Sequence, residues 1–272
     1  MKATRRPGPS VRTRVQELTA SGERAHEDRL VTEEPLEIRL AWPGTPAHRV
    51  WLTMRTPGHD FELAAGWLFH EGIGSPTTVA YCTDQDLRPD QEFNVVTATL
   101  DVAPLRLPSA RDAALSAGSS ACGVCGSDSI DSALEVAAVA RWSGEQMEPE
   151  VVRSLPRLLR ERQAVFDRTG GVHAAGLFDS VGTPLVVRED VGRHNAVDKV
   201  TGARVLGGSS PAEAAMVVSG RAGFELVQKA LAAGVGALVA VGAPTSLAVD
   251  LAHDGGLVLY GFTSAERTVR YA

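Results

Sequence analysis

Between residues 34 and 107 apolar and polar positions alternate in short runs. Leu36-Glu37-Ile38-Arg39-Leu40, Val50-Trp51-Leu52-Thr53-Met54 and the stretch from Phe93 to Leu100 read as strands with one buried face. One segment breaks the alternation. Phe61, Ala64, Ala65 and Leu68 follow a helical period, which predicts a helix over 60–70, with Asp60 as its N-cap and Gly72 as its stop. Residues 110–126 turn small and polar and read as an interdomain loop. A helix is predicted over 129–140, with Ile130, Leu134, Ala137 and Ala138 on one face.

The pattern changes after residue 150. A helix is predicted over 150–167, with Pro156 as the point where it kinks or splits. Two strands follow, 172–178 and 184–188, joined by Ser180-Val181-Gly182-Thr183 as a hairpin turn. Strand, glycine-bearing turn and helix then recur. Strand 185–188 leads through Gly192 to a helix near 195–200, strand 216–219 to a helix over 224–232, and strand 238–241 to a helix over 245–252. A last strand over 257–262 closes the series. Nearly continuous apolar strands between helices imply a buried, mostly parallel sheet. The element order α-β-β-α-β-α-β-α-β is that of the cytidine-deaminase-like architecture, an analogy of topology that carries no claim of deamination.

The expected fold class is therefore α/β (α+β overall): a cytidine-deaminase-like mixed-sheet C-terminal domain with a smaller, strand-rich N-terminal domain. The expected divisions are a disordered basic tail over 1–27, the strand-rich domain over 28–115, a loop and connecting helix over 116–147, and the C-terminal domain over 148–272.

Composition narrows the function classes. The chain has 272 residues, 44% of them hydrophobic, with a net charge of −6. Such a charge argues against general nucleic-acid binding, so any anion site must come from local geometry. Basic residues near the N-terminus precede no apolar stretch of signal-peptide type. The mild apolar run 230–249 is broken by Gly234, Gly236, Gly242 and Pro244, and reads as helix end, strand and turn rather than a membrane span. No membrane contact and a cytoplasmic location are expected.

Three cysteines do not make a disulfide framework. Cys82 stands alone and reads as a buried structural thiol. Cys122 and Cys125 form a Cys-x-x-Cys among serines and glycines, where the backbone can present sulfur to a partner. Three chemistries fit that spacing: two ligands of a zinc site, a redox pair, or a carrier of persulfide sulfur. A zinc deaminase would place His-x-Glu ahead of Pro-Cys-x-x-Cys, and that order is absent here. Spacing alone leaves the three open.

The strand-to-helix turns of the second region suit an anion. Ser219-Gly220-Arg221-Ala222-Gly223 combines glycines for close backbone approach, a helix start and a guanidinium, though it is no Walker A loop. The run from Arg188 to Lys199 is the densest polar block. Within it Arg193 adds a cation, and helical spacing lets Asp198 orient His194, next to Asn195. Ala243, Pro244, Thr245 and Ser246 offer hydroxyls and a preset turn, with Thr245 read first as a helix cap. His173 follows two glycines and reads as structural.

Together these stretches resemble one family, the formate dehydrogenase accessory sulfurtransferases. The resemblance rests on Thr56-Pro57-Gly58-His59-Asp60-Phe61-Glu62-Leu63-Ala64-Ala65-Gly66, Cys122-Gly123-Val124-Cys125-Gly126, Thr169-Gly170-Gly171-Val172-His173-Ala174-Ala175, the block 188–199, the run 219–230 and the run 242–249, in that order. It implies a protein that accepts persulfide from a cysteine desulfurase and passes the sulfur to the molybdenum cofactor, bis(molybdopterin guanine dinucleotide), of formate dehydrogenase. It further implies Cys122 as the persulfide position and Cys125 as its accompanying thiol; no metal site is expected. The second domain is implied to hold the guanine-nucleotide end of the cofactor, with a guanine nucleotide as substitute ligand, and the assembly to be a homodimer. A segment here spanning Phe262 to Arg267 is implied to contribute to cofactor binding. Within it the chain departs from the family pattern: Glu266 would repel a phosphate, and Arg267 keeps the charge match.

Overall fold

A computed structural model describes residues 6–83, 91–105, 107 and 140–272. The strands are β1 (Ser10–Thr19), β2 (Gly22–Val31), β3 (Glu34–Trp42), β4 (Thr45–Arg55), β5 (Thr78–Tyr81), β6 (Val95–Thr99), β7 (His173–Phe178), β8 (Pro184–Asp190), β9 (Ala215–Val218), β10 (Ala237–Ala240), β11 (Val258–Gly261) and β12 (Val269–Arg270). The helices are α1 (Asp60–His70), α2 (Pro149–Arg160), α3 (Ala164–Thr169), α4 (Arg193–Leu206), α5 (Phe224–Ala233) and α6 (Ser246–Gly255). The expected helix over 129–140 lies, but for Ala140, outside the described residues.

The strands form three sheets: the pair β1-β2, a four-stranded sheet in the order β4-β3-β6-β5, and a six-stranded sheet in the order β12-β11-β10-β9-β7-β8. In the four-stranded sheet, alternation does its expected work. Leu36, Ile38 and Leu40 of β3 are buried, while Glu37 and Arg39 pair on the other face. The buried face packs on Leu63, Ala64, Trp67 and Leu68 of α1, and the Trp51 and Trp67 rings stack at 4.9 Å.

The six-stranded sheet is mixed. β9, β10 and β11 run parallel, while β7 is antiparallel to both β8 and β9. β9 and β10 are buried on both faces, as their unbroken apolar sequences require. Residues of α4, α5 and α6 pack against one face of this sheet, and residues of α2 against the other. α1 also packs along α4, so it joins the two larger sheets.

Four expectations change. The segment expected to be a disordered tail to residue 27 forms, from Ser10, a hairpin in which Val11 faces Leu30 and Val15 faces His26. Its polar composition conceals cross-strand pairs such as Arg24 with Glu17, 2.9 Å apart. The helix over 150–167 does break, but between α2 and α3 rather than at Pro156, which stays within α2. There the Glu189 carboxylate accepts from the backbone N–H of Val165 and Phe166, both at 2.8 Å, and so starts α3 afresh. Asp60 is the first residue of α1 rather than its cap. His59 takes the cap position at φ 58°, and the Asp60 carboxylate is held by Arg55 instead. Finally, β12 adds an antiparallel edge beyond β11.

Candidate functional site

Three loops meet where β9, β10 and β11 end, the side of such sheets on which ligands bind. Backbone hydrogen bonds stitch them into one rim. Gly242 N–H donates to Gly220 O (2.9 Å), Ala222 N–H to Ala243 O (3.2 Å), Thr245 N–H to Ala222 O (3.1 Å) and Phe262 N–H to Gly242 O (3.1 Å). Two glycines of this region leave little room for a side chain. A Cβ on Gly242 would sit 3.0 Å from Arg221 Cγ, and one on Gly261 2.8 Å from Pro244 Cδ.

Gly192 caps α4 and Gly223 caps α5, both with extended backbone and neither with a side-chain cap bond. Their first-turn N–H groups are therefore the kind that recruit an anion. Thr245 caps α6 as expected, its Oγ1 accepting from Ala248 N–H at 3.4 Å, beside exposed Ser246. Ser219 Oγ accepts from Ala174 N–H at 2.9 Å, which ties the rim to the start of β7.

The rim displays charge and apolar surface side by side. Arg221 is exposed. Val241, Leu247 and Phe262 keep about two-fifths of their surface in solvent. Phe262 holds a left-handed backbone at φ 49°, and the Arg267 guanidinium lies 5.2 Å from its ring centre. A small closed loop carries both residues. Ser264 N–H donates to Arg267 O at 2.8 Å, and Thr263 and Thr268 share a hydroxyl contact at 2.9 Å.

The polar block is arranged differently from its sequence reading. His194 Nε2 pairs with Glu225 at 2.8 Å, not with Asp198. That hydrogen bond from His194 is the chief cause holding the Glu225 carboxyl below its usual range. Asp198 is buried and engaged elsewhere, by His70 Nδ1 at 2.6 Å and Lys229 Nζ at 2.7 Å, because its face of α4 packs on α1. Burial lowers His70 in spite of the Asp198 carboxylate. Burial alone would raise Asp198, but Lys229 and His70 together bring it down.

Arg188 does not reach the rim as a free fork. Its Nε and Nη2 grip Glu62 of α1 at 2.5 and 2.7 Å. Asn195 is buried, its amide donating to Met54 O at 2.8 Å and to Asp190 Oδ1 at 3.1 Å. The residues of the expected set that converge with exposed or half-exposed surface are thus Arg193, His194, Ser219, Gly220, Arg221, Gly223, Ala243, Pro244, Thr245, Ser246, Phe262 and Arg267.

His173, read as structural, stands in this group. Its Nδ1 lies 3.4 Å from where a Cβ on Gly220 would be. Burial first, then the charges of Arg193 and His194, lower its pKa. Its neighbour Ala174 bonds Ser219, which brings the start of β7 to the rim, a strand pairing that no local sequence signal displays.

Cys122 and Cys125 lie outside the described residues. Cys82 is half-buried at the end of β5, with its Sγ 3.7 Å from Arg39 Nη1. Among the described residues no group of three or more His, Cys, Asp or Glu side chains is placed to hold a metal ion, and no helix is long and apolar enough to cross a membrane.

Fold and rim together define a mixed α/β protein with a glycine-and-arginine site at the carboxyl ends of its parallel strands. Comparison with known proteins makes this specific. The chain belongs to the FdhD/NarQ family, whose model matches residues 31–272. It is 46% identical over 267 residues to the sulfur carrier protein FdhD of Nocardia farcinica, covering 94% of this chain and 91% of that protein. It is 47% identical over 246 residues to the protein of the same name from Streptomyces avermitilis, covering 86% and 84%. A Desulfotalea psychrophila crystal structure, assigned as a formate dehydrogenase accessory protein, shares the fold with a TM-score of 0.71 at 22% identity, over 96% of both chains.

Proposed function

We propose that this chain is a sulfur carrier that serves formate dehydrogenase. In this reading the Cys122 thiolate attacks the outer sulfur of a desulfurase persulfide. The new S–S bond forms on Cys122, the donor's S–S bond breaks, and the desulfurase thiolate leaves, so no external oxidant or reductant is consumed. The cargo receiving that sulfur is the molybdenum cofactor in its bis(molybdopterin guanine dinucleotide) form, and Cys125 is the accompanying thiol.

The observation that carries the cofactor half is the stitched rim. Its glycines clear space at the backbone, and two helix starts, Arg193, Arg221 and Arg267 offer positive potential to phosphate groups. Phe262 and its apolar neighbours supply a flat surface for a base. The donor set fits a guanine nucleotide end, and Glu266 is the one charge within Phe262–Arg267 set against it. The order β8-β7-β9-β10-β11 supports the cytidine-deaminase-like reading of residues 148–272, with 28–115 as the strand-rich unit and 116–147 as the thiol-bearing connection. We place the protein in the cytoplasm as a homodimer, with the desulfurase and formate dehydrogenase as its partners.

Incubation with a cysteine desulfurase and cysteine tests the reading. Intact mass should rise by one sulfur on the wild-type chain and on Cys125→Ala, but not on Cys122→Ala. Formate dehydrogenase activity in cells should be lost with Cys122→Ala. Retention of that activity with both cysteines changed to alanine would replace the carrier reading with that of a non-catalytic cofactor chaperone.

A further inference from the structure

One carboxylate outside the rim joins two distant stretches of the chain. Asp190, the last residue of β8, is fully buried. Its Oδ1 accepts from Gly192 N–H at 2.8 Å and Asn195 Nδ2 at 3.1 Å, and its Oδ2 accepts from Thr56 N–H at 3.1 Å and Lys199 Nζ at 2.6 Å. Thr56 answers from its own side. Its Oγ1 accepts from Val191 N–H at 3.0 Å, and its carbonyl from Lys199 Nζ at 2.9 Å. The turn between β4 and α1 is thereby locked onto the N-terminal turn of α4, the turn that presents Arg193 and His194.

This is an expensive way to obtain stability. A buried ion pair loses hydration that its Coulomb attraction only roughly offsets, and well-packed apolar residues do as well or better. Burial is the dominant influence on Asp190 and pushes its pKa up, against Lys199 and the other donors. What an apolar pair cannot supply is direction: four donors on one carboxylate fix the path of residues 190–195 and the start of α4.

We propose that Asp190, with Thr56 and Lys199, is a positioning unit that presets the α4 end of the rim for its anionic ligand. The inference rests on the reading of the rim as a guanine-nucleotide site, and it assigns the four-stranded unit a part in building that site. None of the three residues touches the ligand; they act through Arg193, His194 and the first-turn N–H groups of α4.

The test uses the full chain with GDP as probe, followed by calorimetry, alongside persulfide loading of Cys122 by a desulfurase. Thr56→Val keeps shape but leaves Val191 N–H without its acceptor, and should weaken GDP binding about tenfold. Thr56→Ser restores the acceptor and should return affinity to within about twofold of wild type. Asp190→Asn should weaken binding at least as much as Thr56→Val. Loading of Cys122 should be unchanged in all three, which a general loss of structure would not allow. Should Asp190→Asn fail to fold, the Thr56 pair decides alone. Binding by folded Thr56→Val indistinguishable from wild type overturns the inference and leaves the functional reading standing. Loss of GDP binding matched by equal loss of loading also overturns it. Failure of the wild-type chain to bind GDP removes the reading of the rim, and the inference with it.

Discussion

Gly66 and Gly202 meet backbone to backbone where α1 crosses α4. A Cβ on Gly66 would stand 1.8 Å from the Asp198 carbonyl oxygen, and one on Gly202 1.8 Å from that of Glu62. The contact brings His70 within reach of Asp198 and Glu62 within reach of Arg188, so the small residues make the polar junction possible. Gly66→Ala or Gly202→Ala must therefore push the helices apart. Each is expected to lower stability by about 3 kcal/mol or more, or ~6–12 °C in melting temperature for a chain of this size. Gly8→Ala, where an added Cβ meets nothing within 4 Å, is the control and should melt with wild type. Thermal unfolding of the three variants side by side checks this.

Arg188 and Arg221 looked equivalent as sequence and are not. Arg188 is engaged by Glu62, whereas Arg221 lies exposed on the glycine rim. Arg188→Ala should destabilise the fold while leaving GDP affinity of the folded protein within about twofold. Arg221→Ala should do the reverse, lowering GDP affinity about tenfold with little change in melting, the loss expected for one charge-assisted contact. Calorimetric titration paired with thermal unfolding separates the two outcomes.

The different fates of these arginines show what was legible in the chain. The range of α1, the core of β3 and the alternation of strands, turns and helices from β7 to β11 follow from local periodicity, because each element buries its own apolar face. β1, β2, β5 and β12 escaped notice because pairing with another strand, rather than a buried stripe, defines them. The rim loops were readable from their glycines. Glu62 as the partner of Arg188, His70 as a partner of Asp198 and the Met54 carbonyl as a partner of Asn195 were not, since each lies more than 120 positions away along the chain, on α1 or at the end of β4. His194 and Asp198 have the spacing of a helical pair, yet α4 is packed between α1 and α5, and each residue found a closer partner across that packing.

The Glu62–Arg188 pair gives the junction a pH signature. Burial alone would raise the Glu62 carboxyl, but the hydrogen bonds and charges of Arg188 and His59 outweigh it and hold it at about 2, against an ordinary value of 4.5. A carboxyl depressed by folding stabilises the protein above its unfolded value and loses that effect as pH falls toward its folded one. Glu62→Gln should therefore cost about 2 kcal/mol at pH 7. The gap between variant and wild type should narrow as pH drops from 4.5 toward 2. Denaturant unfolding at stepped pH measures the gap; a gap constant across that window would mean the carboxylate charge contributes nothing.

Cys82 offers a check on which thiol carries sulfur. It is half-buried, and the Arg39 guanidinium lies 3.7 Å from its sulfur, so the atom is not fully presented to solvent. If the carrier is the Cys122–Cys125 pair, Cys82→Ser should load as much sulfur as wild type and melt within about 4 °C of it, the shift expected for a change of ~1 kcal/mol. Conversely, Cys122→Ala, which retains Cys82, should take up no sulfur from an active desulfurase. Peptide mapping of the loaded wild-type chain locates the added sulfur directly, and finding it on Cys82 would move the carrier role from the Cys-x-x-Cys motif to the residue that follows β5.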